Sequence, residues 1–271
     1  MQSSNPVFAR SEGFNGRGGT AYADFGAGTP ITHTQAGSGR MDIDTVVQKT
    51  GLTLGVVVIV AAATWLLTGD IVDSLGNVQS DVASKLYGIA LVGALGGFVL
   101  SLVNSFKRAI SPALVMAYAA FEGLFVGAFS KVVGQWVGDG VVVGAVLGTV
   151  AAVAGTLAAY KFFDIQVNNK FRTWVIGAMF GFVAVSLLDM VLGFFHADFG
   201  FNGFGGMGLV SSVIGLGIGV LMLILDFDLV ERGIAAGLPE RESWRAAFGL
   251  TVTIIWIYIE LLRLLAILRG D

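Results

Sequence analysis

Three acidic side chains near the C-terminus sit where acid is costly. Glu260 lies inside the apolar run AAFGLTVTIIWIYIELLRLLAIL, from Ala246 to Leu268. Asp226 and Asp228 close the preceding run, LVSSVIGLGIGVLMLILDFDLV. Both runs are long enough to cross a bilayer as helices. A carboxylate in hydrocarbon is expensive, rare and by default functional. Consecutive helices joined by a short link are neighbours in space, so two or three of these carboxylates are expected to come together. Carboxylates that share a site can bind a cation or hold one proton between them. Asp226 and Glu260 are the primary candidates for sensing ions or protons. Asp228 is read as having reached a solvated interface, because successive helical positions face different ways and only one of the two aspartates can face the interior.

Further residues carry charge into or beside the apolar runs. Glu122, in AAFEGLFVG, lies roughly 15 Å along its helix from Pro112 at 1.5 Å per residue, near the membrane midplane. It is either a pathway carboxylate and substitute partner for the other acids, or a structural hydrogen-bonding group. Arg263 is one helical turn beyond Glu260. It can form an i,i+3 pair with that residue or extend to the outer interface. Arg108 or Lys107, at the end of the second run, is placed to pair with an ionised Asp226 as a latch. Asp189, with His196 and Asp198, is expected at the outer surface.

These residues need elements to hold them, and the composition says which. The chain is 55% hydrophobic and 13% charged, with a mean hydropathy of +0.80, whereas soluble domains are about 25% charged. An all-α integral membrane protein follows, since only helices and closed barrels satisfy their backbone in lipid. Residues 1–43 are rich in Gly, Ser, Thr and Asn, and are expected to be a disordered tail without a cleavable signal. Residues 44–271 are expected to form a seven-helix transmembrane domain. Its spans run from about Thr50 to Leu67, Leu86 to Val103, Pro112 to Ser130, Val141 to Tyr160, Trp174 to Phe194, Leu209 to Val230 and Ala246 to Leu268. Basic residues set the expected orientation. The three short loops on the tail side hold eight, including Lys107, Lys170 and Arg241, against four on the other side. By the positive-inside rule the tail is cytoplasmic and the C-terminus outside. Six spans carry a Gly-xxx-Gly spacing, which suits close helix packing within the bundle or, alternatively, a dimer face.

Several chemistries are excluded. The chain has no Cys, so thiol catalysis and thiolate metal sites are absent. Its two histidines, His33 and His196, cannot form a multi-His metal site in the membrane. The seventh span has no Lys for a retinal Schiff base, no embedded Ser has a His partner, and no HExxH occurs. The Gly-x-Gly-Asp form of aspartyl intramembrane proteases is missing around Asp139. No basic block suggests nucleic acid. A non-enzyme is expected, with no cofactor and no tight metal site.

ILDFDLVERG followed by WIYIELLRLLAIL resembles the transmembrane BAX inhibitor motif family. SSNPVF, MDIDTVVQKTGLTLGVVV and SPALVMAYAAFEGLFVGAFS resemble its bacterial, actinobacterial-type branch. The resemblance implies a seven-span protein of the bacterial cell membrane, in contact with lipid. It also implies an acidic pair on the last two helices that senses pH and gates a calcium leak. Motif by motif, the sixth-helix aspartate falls on Asp226 and the seventh-helix acid on Glu260, with Glu in place of the family's Asp. Calcium or protons are then the expected ligands, and calcium the transported ion. The alternative is a non-transporting regulator that binds a membrane protease or another membrane partner. Height decides whether the pair can meet. A turn at Gly237 to Pro239 offsets the two acids by roughly 15 Å along the helices at 1.5 Å per residue, whereas a turn nearer Ser243 levels them.

Overall fold

Among the described residues, seven helices, each apolar and long enough to cross a membrane, account for the fold. The computed structural model describes residues 39–72, 77–138, 140–163 and 165–270. The expected tail therefore lies outside the described residues as far as residue 38. The helices are α1 (Ile43–Leu67), α2 (Ser80–Phe106), α3 (Pro112–Val137), α4 (Gly140–Phe162), α5 (Asn169–Gly193), α6 (Gly206–Ala235) and α7 (Ser243–Gly270), with a 3₁₀ turn at Glu240–Glu242.

Local sequence explains where the helices start and stop. α1 begins seven residues before the expected span because Asp42 caps it. The Asp42 carboxylate accepts the Thr45 N–H at 2.7 Å, and Thr45 Oγ1 accepts the Asp42 N–H at 3.2 Å. This reciprocal capping box satisfies two N–H groups that the helix itself cannot. The Thr45 N–H also holds the Asp42 carboxyl below the usual range. Pro112 opens α3, where its missing N–H costs nothing. Asn168 caps α5 through the Phe171 N–H at 2.8 Å. Beyond α6 the chain reverses at Gly237, whose φ of 64° favours glycine.

α7 is the central helix, with α1, α3, α4 and α6 packed around it. α2 lies outside α3, and α5 packs chiefly on α6. Close crossings use the paired glycines. A Cβ on Gly123 would lie 2.7 Å from Val60 on α1, and one on Gly93 would lie 2.6 Å from the Phe125 backbone on α3. Gly51, Gly55, Gly177 and Gly181 meet nothing within 4 Å, so not every Gly-xxx-Gly is a packing site in the bundle. Ile59, Phe98, Leu147 and Phe180 are more than half exposed on the outer face, as suits a surface bathed in lipid.

The tail-side loops meet one another. Met41 N–H donates to Leu238 O at 2.8 Å, Arg245 Nη2 to Arg108 O at 2.8 Å, and Arg232 Nη2 to Val167 O at 2.6 Å. The start of α1 and the α2–α3, α4–α5 and α6–α7 connections therefore share one end of the bundle, as alternating spans require. Residues 39–43, expected in the tail, are ordered parts of that end.

Candidate functional site

Helices α6 and α7 run antiparallel along a seam, and its register follows from side-chain contacts. Gly215 lies against Glu260, Gly219 against Trp256 and Ile257, and Asp226 against Gly249 and Thr253. Gly215 and Asp226 are eleven residues apart on α6, so the carboxylates sit at levels about 16 Å apart along the helices at 1.5 Å per residue. The expected Asp226–Glu260 contact is therefore not made. The turn at Gly237 is the reason, since it leaves Asp226 near the tail-side end of the seam and Glu260 near the far end. Carboxylates perturb each other directly within about 4–6 Å, so these two cannot share one proton.

Asp226 is lightly held. Thr253 Oγ1 donates to its Oδ2 at 2.6 Å, and its other oxygen faces Gly249. Among the described residues no cation is ion-paired with it. The expected latch from Arg108 or Lys107 is not present. α2 packs on α3 rather than α6, the Arg108 side chain is exposed, and its backbone oxygen accepts the Arg245 guanidinium.

Glu260 is firmly held. Arg263 lies 3.6 Å from its Oε2, in the expected i,i+3 relation. Both residues are buried, at 7% and 8% exposure, so Arg263 does not extend to the interface. The guanidinium instead donates to Ser212 Oγ at 2.6 Å, to Ser211 Oγ, and to the Phe201 and Gly208 carbonyls at 3.4 and 3.3 Å. Glu260 Oε2 has the ion pair but no hydrogen bond. A Cβ on Gly215 would lie 2.7 Å from Glu260 Oε1, so glycine there makes room for the carboxylate.

Asp189 joins this far-end network and is 3% exposed, not on the outer surface as expected. Its two oxygens accept the Phe199 and Asn202 N–H groups at 2.9 and 2.8 Å. Asn202 in turn bonds Ser186 through Oγ and the backbone oxygen. The α5–α6 connection is thereby folded onto the bundle, with Phe201 packed on Phe182 and Phe182 on Trp256.

Asp228 also departs from expectation. It is 7% exposed rather than solvated, because Arg172 from α5 and Arg232 from α6 reach it at 2.8 and 2.9 Å. Glu122 faces α2 at Gly97, with the Tyr118 side chain beside it. It is partner to neither acid on the α6–α7 seam. Sequence reasoning passed over Thr253, Ser211 and Ser212. A polar Ser-Ser step inside an otherwise apolar run was the available signal for the last two. Among the described residues no three His, Cys, Asp or Glu side chains group so as to hold a metal ion.

No curated protein compared with the chain matches it. A family model described as Bax inhibitor 1 like matches residues 5–270, nearly its whole length, and the chain belongs to that family.

Proposed function

We propose, taking that family membership as the premise, that this multi-pass membrane protein passes cations, calcium foremost, in a pH-dependent leak centred on Asp226. The observation that supports this reading is a carboxylate inside a membrane-length helix with a hydroxyl partner and no cation paired to it among the described residues. Such a group can hold a proton or exchange it for a passing cation. One hard oxygen ligand set of this size makes no tight calcium site, and transient binding is what a leak needs. Glu260 takes a different part in this reading. Its charge is matched by Arg263, and the two lock the far end of the seam. Gating by a shared Asp226–Glu260 proton is set aside, since the two acids lie at different levels. We place the tail-side end in the cytoplasm of a bacterial cell, on the count of basic residues, and assign no enzymatic step.

Calcium flux into indicator-loaded proteoliposomes of the purified protein tests this. Wild-type flux should vary with pH. Asp226→Asn keeps the shape and removes the charge, and should lower flux about tenfold, equal to about 1.4 kcal/mol of barrier, and flatten the pH profile. Retention of the wild-type profile by Asp226→Asn removes Asp226 from the pathway. Flux in neither protein, with folding verified, favours the non-transporting regulator.

A further inference from the structure

The segment that precedes α1 is built into the α6–α7 turn. Arg40 pairs with Pro239 in an antiparallel bridge. The Met41 N–H donates to Leu238 O and the Glu240 N–H to Gly39 O, both at 2.8 Å. Lys49 Nζ reaches Glu240 Oε1 at 2.9 Å, and Thr45 Oγ1 lies 2.9 Å from Ser243 Oγ. A Cβ on Gly39 would lie 2.6 Å from Glu240 Oε2, so the strap fits closely.

The strap carries one large apolar side chain inward. Met41 is 4% exposed, with its sulfur 3.0 Å from the position a Gly233 Cβ would take. Gly233, Val230 and Asp226 are spaced by three and four residues, so they line one face of α6. Across the seam, Ala246 and Leu250 precede Thr253 on α7, and Met41, Val230, Ala246 and Leu250 belong to one buried apolar cluster. From the tail-side end inward, the order is thus Met41 on Gly233, then Val230 with Ala246 and Leu250, then the Asp226 carboxylate with Thr253. A hollow of about 220 Å³ adjoins Met41, with Arg232 and Arg245 among its lining residues.

The geometry points to Met41 as a plug, held by the Gly39–Met41 strap, that closes the tail-side approach to Asp226 and opens it when the strap is displaced. Two backbone hydrogen bonds, the partly exposed Lys49–Glu240 pair and the Thr45–Ser243 hydroxyl contact hold the strap. Segments with so few bonds open well before the bundle unfolds. An unbranched methionine suits a closure that must pack and unpack. This inference rests on the role proposed for Asp226, but occlusion can be read without transport.

The absence of Cys makes the test clean. Asp226→Cys in the full-length chain, reconstituted in liposomes, is labelled with a membrane-impermeant maleimide from the tail side. Labelling follows the population of the open form, and Met41→Ala should raise its rate about tenfold, whereas Met41→Leu should leave it unchanged. Leu223→Cys, at a fully buried core position, monitors the fold and should stay unlabelled in every background. Equal labelling of Asp226→Cys with Met41 and with Met41→Ala overturns the plug. So does Leu223→Cys labelling that rises in step, which reports loosening of the bundle. Gated labelling with calcium flux in none of the cysteine-free proteins leaves the plug standing and removes the leak.

Discussion

Two carboxylates on one helix seam have opposite surroundings. Glu260 is buried beside a guanidinium that also holds Ser211, Ser212, the Phe201 carbonyl of the α5–α6 connection and the Gly208 carbonyl in the first turn of α6. Asp226 has a threonine hydroxyl and, on its other oxygen, the backbone at Gly249. The contrast extends to the glycine facing each acid. Gly215 presses on Glu260, whereas a Cβ on Gly249 would sit 3.7 Å from Asp226, an ordinary contact. A buried ion pair whose cation is also tied to two hydroxyls and two carbonyls rigidifies what it joins. A carboxylate with no cation paired to it can change partners. The seam thus has a fixed end and an adaptable end, and only the adaptable end is suited to ion exchange.

Removing the cation at the fixed end is the sharpest way to break this contrast. Arg263→Met leaves Glu260 buried without a counter-charge and should cost about 3–5 kcal/mol, read as a fall in the thermal unfolding midpoint in detergent. Adding Glu260→Gln should recover part of the loss, because the stranded charge is gone. Wild-type stability in Arg263→Met would mean that the far end is not locked by charge. Next is Gly215→Ala, whose methyl group meets both the Glu260 carboxylate and the Phe182 ring, 2.9 Å away. Overpacking of this kind should cost about 1–3 kcal/mol. The smallest effect should come from Gly249→Ala, which fits without displacement and removes a helix-interior glycine. A gain of about 0.5–1 kcal/mol is expected, in the same unfolding assay. Equal losses from the two glycine variants would erase the distinction between the ends.

The helices were legible because hydropathy and length constrain them strongly. The start of α3 at Pro112 coincides with its expected first residue. The start of α1 does not, because hydropathy registers Thr50–Leu67 but not the polar first turns that Asp42 caps and that pack on the α6–α7 turn. The Glu260–Arg263 pair was legible from its spacing alone. The burial of Asp189 was not, because its partners are backbone N–H groups at Phe199 and Asn202, which no residue type announces. The separation of Asp226 from Glu260 hung on one turn. The sequence allows either height, and the turn at Gly237, with its positive φ, gives the offset one. Asp228 was misjudged because Arg172, its α5 partner, is remote in sequence.

α5 is attached to the bundle by Arg172 on Asp228, by the Phe182 ring on Trp256 and by Asp189 on the α5–α6 connection, while a Cβ on Gly177 or Gly181 would meet nothing within 4 Å. Lipid tails are as apolar as leucine, so replacing the Ile224 and Leu225 contacts of α5 with lipid costs little hydrophobic energy. Breaking its internal backbone bonds in the same surroundings costs several kcal/mol each. α5 should therefore leave the bundle as an intact rod once these few attachments are released, while the other helices stay together. In the order of assembly, such a rod is the last to dock and the first to come away.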